Sequence, residues 1–359
     1  MSRWYRWLPA AAVPAVVAAV SLTSHAGAAD LPEKSPEDVL AMLAGHSVEA
    51  FSGSFAQSSD LGLPEVPGEL AGPGGQGGEE IATAVELLTG DHTGRVYVSG
   101  EDAARLQVMD SFSERDLVRN GDDVWAYDSR ENSAVHLALP DHPAYPGHPG
   151  ATAPGATPTP EELAKKFVDA AGPSTDLTVA DDVSVAGRDA YELVMTPRTS
   201  GTLVGSVSIA VDGETGFPLR VSVEARGQEA PAFELAYTSF TLGEPDAARF
   251  DFTPPAGATV EEKTLPDAEG HWAPYPDATA PTAPAGPMPT VVGEAWESVV
   301  VMPAGAADLA ADPMLAQVTR PVDGGRLLST ALVNVLVTDD GRVLVGSVPV
   351  ERLQAVAGS

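Results

Sequence analysis

Cysteine is absent from the 359 residues, and lysine nearly so, with four against sixteen arginines. The first absence removes disulfides, thiol nucleophiles, thiolate metal sites and a lipid-modified cysteine anchor together. Basic residues total 20 against 51 acidic ones, a formal net charge of −31. Nucleic acid demands clustered Lys and Arg against its phosphates, so that partner class is excluded, and electrostatic docking on anionic lipid is disfavoured on the same ground. No Gly-x-Ser-x-Gly elbow, phosphate-cradling glycine loop or His-Glu-x-x-His pair occurs. The acidic pairs Asp122-Asp123, Asp181-Asp182 and Asp339-Asp340 lack the ligand spacing of a Ca²⁺ loop and read as turn residues. His142 and His148, with Asp141, could ligate a metal, but they sit in a proline-rich loop with nothing to fix their geometry. A non-catalytic protein without metal or cofactor is therefore expected.

What is present describes an exported globular chain. Hydrophobic residues make up 43%, and the length suits about two domains. Met1–Ala29 has the layout of a secretory signal peptide: Arg3 and Arg6, an apolar stretch Leu8–Leu22, then Ala26-Gly27-Ala28 as a cleavage site. The apolar stretch is shorter than the ~20 residues of a spanning helix and holds Pro9 and Pro14. Cleavage would free the protein in the cell envelope or outside it; retention would anchor it there.

Ser35-Pro36-Glu37-Asp38 opens a helix, with Ser as cap, Pro at its first position and acids against the dipole, and Gly45 closes it. From Val48 the period becomes two: Phe51, Gly53 and Phe55 point one way, Ser52, Ser54 and Ala56 the other. Strands follow at Arg95–Val98, Ala104–Met109, Asp116–Arg119, Val124–Asp128 and Ser133–Leu139, with Asn120-Gly121-Asp122-Asp123 as a hairpin turn. Gly68–Gly78 and Pro140–Pro160, the latter with seven prolines, read as loops. Thr159-Pro160-Glu161-Glu162 starts a second helix through Leu163, Phe167 and Val168. Further strands are expected at Thr178–Ala186, Asp189–Thr196, Val204–Asp212, Leu219–Ala225 and Phe233–Leu242. A proline-rich linker then leads to a small α+β tail: a strand from Trp296 to Met302, a short helix at Pro313–Val318, a hairpin of Leu327–Thr338 with Arg342–Val348, and a closing helix Pro349–Val356. The fold class is mostly β, an antiparallel sheet or open barrel with two helices.

Three segments carry a resemblance. Leu117-Val118-Arg119-Asn120-Gly121-Asp122-Asp123-Val124-Trp125-Ala126-Tyr127-Asp128 resembles the central hairpin of the LolA lipoprotein-carrier superfamily. Val185-Ala186-Gly187-Arg188-Asp189-Ala190-Tyr191-Glu192-Leu193 and Val211-Asp212-Gly213-Glu214-Thr215-Gly216-Phe217-Pro218-Leu219-Arg220 resemble the sigma-E regulators of the MucB and RseB type, whose N-terminal domain shares that fold. Phe250-Asp251-Phe252-Thr253-Pro254-Pro255 is similar to the close of the same domain. The Leu-Leu-Ser-Thr stretch Leu327–Thr330 resembles the tail of LolA-like proteins of actinobacteria. The resemblance implies a strongly curved antiparallel sheet, an incomplete barrel plugged by helices, over residues 35–257; the proline-rich linker is expected over 258–292 and the tail, which the resemblance does not cover, over 293–359.

Two functions follow from the resemblance. One is an exported carrier that holds a lipid or lipoprotein acyl chain in an apolar cavity; the other is an envelope signalling module that binds a membrane regulatory protein such as an anti-sigma factor. For the first, strand alternation and the hairpin match select Phe55, Leu106, Val108, Leu117, Trp125, Tyr127, Leu193, Met195, Val207 and Ile209 as cavity wall, with Phe167 reaching in from the second helix.

Overall fold

A computed structural model describes residues 31–62, 91–109, 113–139, 159–170, 172–264, 289–304 and 319–358. The expected signal segment, the glycine-rich loop, most of the proline-rich loop, the middle of the linker and the helix expected at Pro313–Val318 lie outside the described residues.

Helix α1 (Pro36–Ala44) begins as its sequence dictates: the Ser35 hydroxyl accepts from the Asp38 N–H at 3.1 Å while the Asp38 carboxylate accepts from the Ser35 N–H. Helix α2 (Pro160–Ala170) repeats the device. The Thr159 hydroxyl accepts from the Glu162 N–H at 3.3 Å, and the Glu162 carboxylate accepts from the Thr159 N–H at 2.9 Å. Both helices lie on one side of a long sheet, antiparallel except at the strand Thr259–Thr264. Its strands are β1 (Ala50–Ser59), β2 (His92–Ser99), β3 (Ala103–Met109), β4 (Glu114–Asn120), β5 (Asp123–Asp128), β6 (Ser133–Ala138), β7 (Thr175–Val179), β8 (Val183–Val185), β9 (Arg188–Pro197), β10 (Val204–Asp212), β11 (Pro218–Ala225), β12 (Phe233–Leu242) and β13 (Thr259–Thr264). Their order is β13-β6-β5-β4-β3-β2-β1-β12-β11-β10-β9-β7, with β8 also on β9. The sheet is curved but not closed, because β13 and β7 do not meet: it is an incomplete barrel, mostly β with a few helices.

Register sorts the side chains into two faces, since residues directly opposite on paired strands share a face. The face that bears the helices is the inner one. On β9 to β12 it is filled: Leu193, Met195, Val207, Ile209, Val221 and Leu235 are each 0% exposed, in one core with Val39, Leu43 and Ala164 of the helices. The centre is aromatic, with Phe51, Phe217, Tyr237 and Phe240 in mutual ring contact at centroid distances of 4.8–6.3 Å. Two strand glycines make room for rings to lie on the sheet. A Cβ on Gly53 would stand 2.7 Å from Tyr237 Cε1, and one on Gly94 would stand 2.2 Å from Phe55 Cζ.

The expectations for strands and linker fail in several places, Thr290–Val292 at the end of the expected linker being a strand as well. The strand expected at Thr178–Ala186 is two, β7 and β8, broken where Asp182 turns to accept a hydrogen bond from the Leu31 N–H at 2.8 Å. Residues 259–264, expected in the linker, form β13 and pair with β6 in parallel. Trp296 lies in a 3-10 turn, Ala295–Glu297, ahead of β15 (Val299–Met302). Leu327–Thr338 is broken by a turn in which the Thr330 hydroxyl accepts from the Val333 N–H at 2.8 Å, giving β17 (Gly325–Ser329) and β18 (Asn334–Thr338).

With β14 (Thr290–Val292), β16 (Arg320–Val322) and β19 (Val343–Gly346), these strands make a second sheet of order β14-β15-β19-β18-β17-β16. Helix α3 (Val350–Ala357) lays Leu353 and Val356 on its own core of Val299, Leu327, Leu336, Leu344 and Val348. Among the described residues no helix is long and apolar enough to cross a membrane.

The second sheet touches the first. The Ser347 carbonyl accepts from the Leu203 N–H and the Thr202 hydroxyl, both at 2.8 Å; Trp296 Nε1 donates to the Thr175 hydroxyl at 2.9 Å; and Trp296 and Leu332 pack on the large core. A chain ending after Thr264 is expected to fold, because every buried residue of the large core lies at or before Phe240, but to melt lower without the packing of Trp296 and Leu332. Each lost hydrogen bond contributes ~1 kcal/mol. Thermal circular dichroism checks this; an unchanged midpoint would mean that the tail contributes nothing to the large sheet.

Candidate functional site

The inner face changes character across the sheet. Phe55, Val96, Val98 and Val108 of β1 to β3 are buried. Beyond them Leu106, Leu117, Ala126 and Val135 are only half-buried. These four are successive cross-strand partners on β3, β4, β5 and β6, and Leu106 in turn faces Val96, which faces Gly53. An apolar row therefore runs from β6, the strand next to the edge strand β13, to Gly53, where the Tyr237 ring lies. Five strand spacings of ~4.8 Å give it a length of about 24 Å, enough for a long acyl chain laid across the strands.

The expected wall residues divide into three groups. Leu106 and Leu117 line the row, with Phe55 and Val108 buried beside it. Leu193, Met195, Val207 and Ile209 share the inner face but are sealed beneath the helices, and Phe167 of α2 packs on the same core. Trp125 and Tyr127 require a correction: they lie on the outer face. Trp125 is opposite Val118 and Tyr127 opposite Asp116, one residue out of phase with Leu117. Phe252 covers both rings from outside, at 5.4 and 6.0 Å, downstream of the 3-10 turn Ala247–Phe250. Arg105 ties that turn down by donating to the Arg249 carbonyl at 2.9 Å while its Nε donates to Asp116 at 3.0 Å.

A polar cluster inside the core, between the two helices and β12, was missed by sequence reasoning. Tyr237 is 2% exposed, and its hydroxyl has no hydrogen-bond partner. Burial, then the carboxylates of Glu161 and Glu162 on α2, push the phenol well above its ordinary value. His46, just after α1, lies edge-on to Phe217 at 5.3 Å, with Nε2 at 3.7 Å from Glu161 and a buried Nδ1 that has no partner. Burial pushes its pKa down, and burial raises that of Glu162. The sequence signals available were a glycine amid strand aromatics and adjacent acids opening a helix; neither tells which residues meet. His142, His148 and Asp141 lie outside the described residues.

On the outer face, His136 stacks on Trp125 at 4.2 Å and reaches two carboxylates, Asp123 at 2.8 Å and Glu262 of β13 at 2.7 Å. Bonding to Asp123 raises its pKa; burial opposes this, and Glu262 adds to the rise. The folded value lies above the unfolded one, so the stabilisation is complete below about pH 6.5 and lost as pH rises through the folded value. The carboxylates are mostly exposed, which limits the effect to under about 1 kcal/mol. Thermal midpoints measured across pH 6–9 should fall more in the wild type than in His136→Gln; parallel curves would contradict the assignment.

No known protein-family profile and no functionally characterised sequence matches the chain. Among solved structures it is similar to the MucA/MucB complex structure of Pseudomonas aeruginosa, with 17% identity over 90% of this chain and 96% of that one and a TM-score of 0.42. It is also similar to an uncharacterised conserved protein of Thermus thermophilus, with 13% identity over 63% of this chain and 98% of that one and a TM-score of 0.34. A LolA superfamily protein of Nitrosomonas europaea matches at 11% identity over 61% of this chain and 99% of that one, with a TM-score of 0.25. The likeness to these MucB and LolA-superfamily structures is one of architecture and assigns no activity.

Proposed function

We propose that the protein is an exported, non-catalytic binding protein that holds the acyl chain of a lipid or lipoprotein along the inner face of its open sheet. The half-buried apolar row on β3 to β6 carries this reading: it continues a sealed core and is of acyl-chain length. Burial at ~0.8 kcal/mol per CH₂ drives binding without any charged contact. Export rests on the N-terminal segment read in the sequence.

Leu117→Asp and Leu106→Asp place a carboxylate in the row at positions solvated enough to leave the fold intact. Titration of delipidated protein with a fluorescent fatty acid should show at least tenfold weaker binding in either variant. Folded variants with wild-type affinity would remove the row from the site. A second reading, an envelope signalling module that binds a membrane regulatory protein, is favoured by one observation. Val291 and Val300, paired on β14 and β15, are 65% and 38% exposed on the second sheet, an apolar spot suited to a peptide segment.

A further inference from the structure

We infer that His136 is a latch operated by its proton: charged, it holds the edge strand β13 on the sheet, and neutral, it lets that strand leave and uncover β6. The latch itself does not depend on acyl binding; only its consequence for the apolar row rests on that reading. β13 is the last strand on its side of the sheet and pairs with β6 alone, in parallel. Thr259, Val260, Glu261, Glu262 and Lys263 are all exposed. A strand that buries no apolar side chain opens more readily than the core. One ion pair reaches across its ladder, from Glu262 to His136 directly opposite.

Both imidazole nitrogens meet carboxylates, Nδ1 that of Glu262 at 2.7 Å and Nε2 that of Asp123 on β5 at 2.8 Å. Only the imidazolium donates from both. Neutral imidazole keeps one proton and turns a lone pair towards the other carboxylate. Asp123 makes the larger contribution to holding the charge and sits within the antiparallel ladder of β4, β5 and β6, whereas Glu262 rides on a strand that can withdraw. The remaining proton therefore stays on Nε2, and the Glu262 arm is the one lost. From the other elements over this ring come Trp125, stacked on it, with Val118 and Phe252 beyond, all apolar faces. Further along the outer face Arg105 and Asp116 are bonded to each other, and Lys263 pairs with Glu261 at 3.6 Å on the opposite face of β13. Release of β13 makes β6 the edge of the sheet and bares Val135, the last residue of the row, which Glu261 faces.

Hydrogen exchange of the delipidated full chain at pH 6 and pH 9, expressed as protection relative to the chemical exchange rate at each pH, tests the latch. Protection of residues 259–264 should fall about two- to fivefold from the lower to the higher pH in the wild type, the range open to a solvated ion pair. That of β10 and β11 should not change. Glu262→Ala should show the low value at both pH values. Glu262→Gln, whose amide either accepts from or donates to Nδ1, should stay protected at both. A wild type whose β13 protection ignores pH, a fall shared equally by β10 and β11, or a pH response retained in Glu262→Ala would overturn the latch. No lipid enters the experiment, so the latch and the acyl-binding reading fail separately.

Discussion

Ile209→Asp is expected to abolish folding of the large sheet. Ile209 is fully buried, faces Leu193 on β9 and Val221 on β11, and is surrounded on its face by apolar side chains. The substitution removes packing worth about 2–5 kcal/mol and adds a carboxyl group that must be desolvated and protonated at further cost. Against a total stability of about 5–15 kcal/mol, little folded protein should remain, in contrast to the soluble Leu117→Asp. Far-UV circular dichroism and soluble yield decide it. A folded Ile209→Asp with a native melting temperature would mean that the chamber reaches under the helices to β10.

Arg188→Ala should cost about 3–5 kcal/mol, the usual penalty for stranding one member of a buried ion pair. The Asp212 side chain is 1% exposed at the end of β10 and accepts from Arg188 Nε and one terminal nitrogen, both at 2.8 Å, and from the Thr215 N–H at 3.0 Å. Burial alone would raise the Asp212 pKa. The hydrogen bonds from Arg188 and Thr215 outweigh it and hold the carboxyl below its ordinary value. The folded value being the lower one, the pair stabilises fully above about pH 4 and its contribution disappears as pH falls through the folded value. Urea midpoints should therefore drop steeply in acid for the wild type and be flat or inverted in Arg188→Ala, whose buried carboxylate is relieved by protonation. Arg188→Ala/Asp212→Asn should recover much of the loss. A single variant within about 0.5 kcal/mol of wild type would show that the surface turn, with Glu214, solvates Asp212 adequately.

What the sequence revealed follows the range of the interactions. Ser35 to Asp38 and Thr159 to Glu162 announce their helices because each cap closes within four residues. Asn120 to Asp123 announces a hairpin because a two-residue turn with a left-handed glycine, Gly121 at φ 64°, fixes the register locally. That register places Trp125 and Leu117 on opposite faces, yet both faces of β4 and β5 carry apolar side chains, so alternation alone does not mark the inner one. Phe252 decides it, from more than a hundred residues away. The parallel strand β13 was illegible for the same reason: its partner β6 is remote, and its sequence Thr-Val-Glu-Glu-Lys-Thr shows no core pattern. The polar cluster in the core joins His46, Glu161 and Tyr237, brought together only by the folding of the sheet beneath two helices. Leu193 and Met195 showed the reverse difficulty, since a cavity wall and a filled core have the same alternation.

Native mass spectrometry of the protein, purified without detergent from the cells that make it, tests acyl binding most directly. The account predicts a mass excess equal to one acyl lipid or acylated peptide, removed by solvent extraction and absent from Leu106→Asp/Leu117→Asp. An apo mass under the same conditions, or a bound polypeptide that survives in the double variant, would contradict it.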